Sequence, residues 1–161
     1  MDKIVIVDKD KSSDFNKMMT TTLKQQIIDA FETEFSFVKD KFELIELLTK
    51  NSPMDYETIE YLKLPSEDYN IVWHPGVYTF IGNNELYRVG VSMRNSRSRV
   101  MEHLDAETSK DGYCVWDIDK HPDKSILLFN VKDKSDRHWL LALEAFLETK
   151  FQPKIRAGRI G

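Results

Sequence analysis

Five side chains in the second half of the chain have types and spacings suited to work on an anion: Tyr78, Arg88, Arg99, His103 and Glu144. Arg99 and His103 are four residues apart, so on a helix they share one face. An arginine there offers a planar fork that matches phosphate oxygens, and a histidine changes charge near neutral pH. Tyr78 follows Gly76 and Val77 in a strand-like run, and Arg88-Val89-Gly90 closes the next one. Glu144 has Leu140 four residues before it and Leu147 three after it, inside an apolar stripe. A carboxylate in that stripe is costly to bury unless a cation meets it.

The elements that must hold these groups follow from periodicity. Lys3–Val7 reads as a short strand. Phe15, Met18, Met19, Leu23, Ile27, Phe31 and Phe35 recur at three- and four-residue steps, which predicts an amphipathic helix over 13–35. Phe42, Ile45 and Leu48 predict a second helix at about 40–50, broken by Asn51-Ser52-Pro53, and a short helix is expected at 55–63. Beyond Leu64-Pro65 the pattern changes. Residues 71–73, 76–81 and 86–91 read as strands, with Gly82-Asn83-Asn84 supplying hairpin turn chemistry between the last two. A helix is expected at about 95–105, β-formers cluster at 113–116 and 126–131, and a final helix runs from about Ser135 to Lys150 before Pro153.

Length and composition bound the class. At 161 residues with 41% apolar and 31% charged side chains, the chain can bury one ordinary core. No run approaches the eighteen or so apolar residues of a spanning helix. The apolar stretch near the start is short and followed at once by charges, unlike a signal peptide, which predicts a cytoplasmic protein. A single cysteine, Cys114, cannot form an internal disulfide or a cysteine-rich zinc site, and in its apolar run it reads as buried and inert.

The net charge of −4 hides a polarity: residues 1–75 carry a net −6, and residues 76–161 a net +2. The basic excess gathers around Arg88, Arg94, Arg97 and Arg99, and again at Lys150, Lys154, Arg156 and Arg159. Two local clusters on an acidic chain fit a confined phosphate-binding surface better than general adhesion to polyanions. Arg94, Arg97, Lys154 and Arg156 are therefore candidate DNA or phosphate contacts beside the central five.

Taken in order, Gly76-Val77-Tyr78, then Arg88-Val89-Gly90, then Arg99-Val100-Met101-Glu102-His103, then Leu143-Glu144 with Pro153 nine residues on, resemble the motifs of the GIY-YIG nuclease superfamily. The resemblance covers roughly residues 74–156, and the motif pattern is closest to the restriction-endonuclease branch. It departs from the family in three places. Arg88 stands where the second motif has tyrosine, Val91 where polar or basic residues are common, and Arg156 where an asparagine usually follows the proline. Tyr87 is one residue out of register, which in a regular strand puts it on the opposite face.

The resemblance implies an α/β (α+β) fold: a small central mixed or antiparallel sheet flanked by helices over 69–161, with a mainly helical N-terminal extension over 1–68. It implies a restriction-type DNA endonuclease that hydrolyses phosphodiester bonds of duplex DNA, with Mg²⁺ (or Mn²⁺) held by Glu144. A Mg²⁺ held mainly by one carboxylate keeps most of its waters and needs no protein cage. Tyr78 would orient or deprotonate the attacking water; a free phenol ionises near pH 10, about 10 in model compounds, so it needs cations nearby. Arg88 would supply that field or bind the scissile phosphate, Arg99 would stabilise transition-state charge, and His103 would relay a proton or hydrogen-bond Tyr78. Cutting both strands with one site per subunit calls for a homodimer or two sequential events. The alternative on the same fold is a catalytically impaired nucleic-acid-binding or interaction module, with Arg88, Val91 and Arg156 as its marks. A rival signature, Pro122-Asp123 followed by Glu148-Thr149-Lys150, needs its Glu-x-Lys pair on a strand, whereas these residues end a helical pattern. Asp117 and Asp119, two apart, would share one face of a strand as a metal pair, and His74, His121 and His138 lack zinc-site spacing.

Overall fold

The computed structural model describes residues 21–48, 51–61 and 69–157; the expected strand at 3–7 and the part of the first expected helix before Thr21 lie outside them. The centre is a four-stranded antiparallel sheet of β1 (Phe42–Glu46), β2 (Gly76–Gly82), β3 (Glu85–Ser92) and β6 (Ser125–Val131), in the spatial order β1-β6-β2-β3. Helices α1 (Leu23–Glu34), α2 (Tyr56–Tyr61), α3 (Ser96–Asp105) and α4 (Trp139–Phe151) surround it, and β4 (Ser109–Lys110) and β5 (Tyr113–Cys114) form a separate small hairpin.

Both faces of the sheet are covered. On one face Val77, Ile81, Val89, Leu127 and Phe129 pack with Ile27 and Phe31 of α1, Phe35 just after it, and Leu140, Leu143 and Leu147 of α4. On the other, Tyr78, Phe80, Ile126 and Leu128 pack with Val100, Met101 and Leu104 of α3. Central strands β2 and β6 are buried at every position, which explains their unbroken apolar runs. The hairpin turn is as its residues demand: Asn83 and Asn84 both take φ of 53°, the left-handed pair a two-residue turn needs. Backbone N–H groups of both donate to the Asp123 carboxylate, at 2.9 and 2.6 Å, so the tip is tied to the loop before β6.

Four expected elements are corrected. The helix at 40–50 is instead a 3₁₀ turn, Lys39–Lys41, followed by β1, which pairs with β6 along the sheet edge. The front and back parts of the chain therefore share one sheet, and both contribute to the apolar clusters on each of its faces. Helix α1 starts at Leu23, and 21–22 are not helical, because Thr22 caps it, its hydroxyl accepting from Gln25 N at 3.3 Å. Residues 69–73 form a 3₁₀ turn rather than a strand. The run at 113–116 is strand only at Tyr113–Cys114, after which 115–120 are again 3₁₀.

Candidate functional site

Two glycines let the sheet carry large groups on its α3 side. Tyr78 and Gly90 are cross-strand partners, and a Cβ at Gly90 would lie inside the Tyr78 ring, 2.8 Å from Cε2 and nearer still to Cζ and Oη. Gly76 pairs with Asn130, and a Cβ there would collide with the Asn130 amide and stand 2.9 Å from the Phe129 carbonyl. Asn130 uses that space to donate to the Ile71 carbonyl at 2.8 Å and to accept from the Ser96 hydroxyl at 2.6 Å, which fixes the first residue of α3 to the sheet. The same helix start is closed by Asn95, whose side chain accepts from Ser98 N at 3.0 Å.

So anchored, α3 brings His103 over Tyr78. The phenol oxygen and His103 Nε2 are 2.7 Å apart in a buried contact, with Tyr78 1% and His103 5% exposed. On the far side of the ring, Nδ1 is 2.8 Å from the Thr108 hydroxyl. Burial pushes the His103 pKa down to about 3, and the positive charges of Arg88 and Arg99 push the same way. The imidazole is thus neutral at physiological pH. Arg99 is exposed and paired with Glu102; that pair, aided by the Tyr78 oxygen against burial, holds it more firmly protonated than a free guanidinium.

Arg88 is the cross-strand partner of Phe80 and half-buried, and its Nε has no hydrogen-bond partner although it is shielded from solvent. A buried guanidinium nitrogen without an acceptor is costly, and an entering anion would relieve that cost. Arg88, Arg99, Tyr78 and His103 therefore form one electrostatic cluster: two cations around a phenol–imidazole pair. Glu144 is the fifth candidate. It is 7% exposed on α4, among leucines that pack on the opposite side of the sheet, beneath the strand that carries Arg88. Among the described residues no group of three or more His, Cys, Asp or Glu side chains could enclose a metal ion. Glu144 thus lies across the sheet from the Tyr78–His103 pair, and a lone carboxylate can hold only an ion that keeps most of its waters.

The surrounding basic residues divide. Arg94 and Arg156 are exposed. Lys154 is already engaged: it pairs with Glu85 at 2.9 Å and sits 4.2 Å above the Tyr113 ring. Arg97 corrects the expectation of a phosphate contact. It is fully buried, donating to the carbonyls of Ile59 and Glu60 and lying 4.5 Å over the Trp73 ring. Its positive charge meets the carbonyl end of α2 and an aromatic face, so it ties α2 to α3.

Tyr87 is also corrected. The register shifts between Phe80 and Ile81, so Tyr87 is an extra residue in β3 and packs in the same cluster as Tyr78 and Phe80. Its hydroxyl does not join the histidine; burial raises its pKa, and the charges of Asp117 and Glu85 add to that. Cys114 is half-buried rather than buried, its thiol 3.4 Å from the Glu107 carbonyl. The rival signatures have other employment. Asp123 holds the hairpin tip, Glu148–Lys150 end a helix, Asp117 accepts from Cys114 N at 2.8 Å, and Asp119 pairs with Lys124 at 2.7 Å.

Thr108 was missed by sequence reasoning, since it lies outside every motif and periodic stripe; it is found only through the fold. No helix among the described residues is long and apolar enough to cross a membrane. The chain matches no family model, no curated protein and no solved structure, so its functional reading rests on the geometry of the site.

Proposed function

We propose that the protein is a Mg²⁺-dependent DNA endonuclease of the GIY-YIG type, acting in the manner of a restriction enzyme on duplex DNA. The observation that carries this reading is the 2.7 Å contact between Tyr78 and His103 with Arg88 and Arg99 converging on it. Two guanidinium groups suit the scissile phosphate and the charge that grows on its oxygens. Tyr78 orients or deprotonates the water, and His103, neutral, holds the phenol in place. Glu144, across edge strand β3 from Tyr78, would hold the ion, and such an ion would supply charge stabilisation to a bound phosphate. Arg94 and Arg156 extend the basic surface along the DNA backbone, and a homodimer would cut both strands.

One observation favours a second reading, a nucleic-acid-binding module without catalysis. Tyr78 leaves only 1% of its surface accessible, which is little for a residue that must meet a water.

The test is incubation of the purified protein with supercoiled plasmid and mixed phage DNA, with Mg²⁺ or with EDTA, beside Glu144→Ala. Discrete fragments that require both metal and Glu144 are the expected result. Random nicking with the same dependence keeps the nuclease and removes the restriction-type assignment. No metal-dependent cleavage, on branched DNA as well, favours the binding module.

A further inference from the structure

We propose that Thr108 is a positioning residue whose hydroxyl accepts from His103 Nδ1–H, so that the ring rests in that tautomer and Nε2 is left to accept from the Tyr78 hydroxyl. The argument starts from what each atom can donate. Tyr78 Oη is buried and hydrogen-bonded to His103 Nε2. The guanidinium of Arg99 interacts with the same oxygen, and Arg88 carries a second positive charge toward the imidazole. A guanidinium can only donate, so its positive charge favours a phenol that turns its lone pairs, not its proton, toward it. The phenol proton turns away from those cations and toward Nε2, which must then be bare. A neutral imidazole with a bare Nε2 carries its proton on Nδ1, and the group 2.8 Å from Nδ1 is the Thr108 hydroxyl.

The backbone holds Thr108 for this task. Glu107 takes φ of 46°, the left-handed region, and turns the chain back immediately after α3. Thr108 N then donates to the His103 carbonyl at 3.1 Å, and its own carbonyl accepts from Val115 N at 3.0 Å. Both peptide groups that flank Thr108 are thereby held, and its hydroxyl stays within hydrogen-bond reach of Nδ1. The line of donors runs from Arg99 through Tyr78 and His103 to Thr108. For catalysis this inference rests on the endonuclease reading; for the resting protein it stands alone.

The test reads the ring nitrogens directly. Long-range ¹H–¹⁵N correlation spectra of the labelled, DNA-free protein at neutral pH, with His103 assigned through His103→Gln, are expected to show an unprotonated Nε2 and a protonated Nδ1. Thr108→Val is expected to shift His103 toward the Nε2–H form, and Thr108→Ser to restore the original spectrum. A wild-type His103 protonated on Nε2, or a Thr108→Val spectrum identical to wild type, overturns the proposal. Should Thr108→Val fail to fold, the wild-type and Thr108→Ser spectra decide: both must show the Nδ1–H form. In cleavage assays Thr108→Val should lower kcat about tenfold with KM for DNA unchanged, and Thr108→Ser should recover it. A change confined to KM overturns the positioning role. The expected tautomer in a protein that cleaves nothing would instead remove the endonuclease reading and leave the role of Thr108 in place.

Discussion

Tyr78 occupies the space that a side chain at Gly90 would fill: the two residues are opposite one another on β2 and β3, and the phenol ring lies where a Cβ would stand. Gly90→Ala should therefore displace the ring from His103. We expect a stability loss of about 1–3 kcal/mol, typical of overpacking, together with loss of cleavage. The check is a double-mutant cycle by urea unfolding. Gly90→Ala in a Tyr78→Ala background should cost markedly less than in the wild type.

Tyr78→Phe separates chemistry from packing. It keeps the ring over Gly90 and removes only the hydroxyl that meets His103 Nε2. Stability should fall by about 1 kcal/mol, the net value of an ordinary hydrogen bond, while cleavage falls roughly a hundredfold or more. Plasmid-cleavage kinetics beside a denaturation curve measure both.

Arg97 and Arg99 should part company. Arg97 is buried against Trp73 and the end of α2, whereas Arg99 is exposed beside the Tyr78–His103 pair. Arg97→Ala should lower stability by about 3 kcal/mol, because it empties a buried site and leaves the Ile59 and Glu60 carbonyls without this donor. Arg99→Ala should leave folding nearly unchanged, weaken DNA binding and reduce the salt dependence of affinity by about one counterion. Salt titrations of binding by both variants test the division.

The neutral His103 gives stability a definite pH dependence. Its folded pKa, about 3, lies below the value of 6.5 for a free imidazole. Between those values the unfolded chain binds a proton that the folded chain refuses. The His103 contribution is fully present above pH 6.5 and is lost as pH falls toward 3. Urea unfolding from pH 7 to pH 4 should show stability decreasing, and His103→Gln should flatten part of that slope.

Much of this fold was legible before the structure. Strands β2, β3 and β6, the Asn83-Asn84 turn, and helices α3 and α4 announce themselves by β-former runs, turn residues and caps. The failure at β1 has a physical cause. Phe42 packs on one face of the sheet and Ile45 on the other, so a strand buried on both sides produced the three-residue spacing of a helix. Arg97 carried a signal that was available: it precedes Val100, Met101 and Leu104 by three, four and seven residues, which is the buried stripe of α3. Its charge suggested the surface, but its position indicated the core. Tyr87 could not be placed from sequence, because a bulge adds one residue to one strand without a fixed sequence mark. Within the site, Tyr78, Arg88, Arg99 and His103 were legible because motif order and helix spacing brought them together. Thr108 depends on a reversal of the chain after α3 that no periodicity encodes.

The strand order also dictates a sequence of events during folding. β6 is the last strand of the sheet to leave the ribosome, yet it lies between β1 and β2. The β2–β3 hairpin can close locally as soon as it is made. β1, synthesised before either, has no partner among the described strands until residues 125–131 arrive. Its pairing closes a loop of some eighty residues, the kind of distant contact that slows folding, so docking of β1 onto β6 should be a late step.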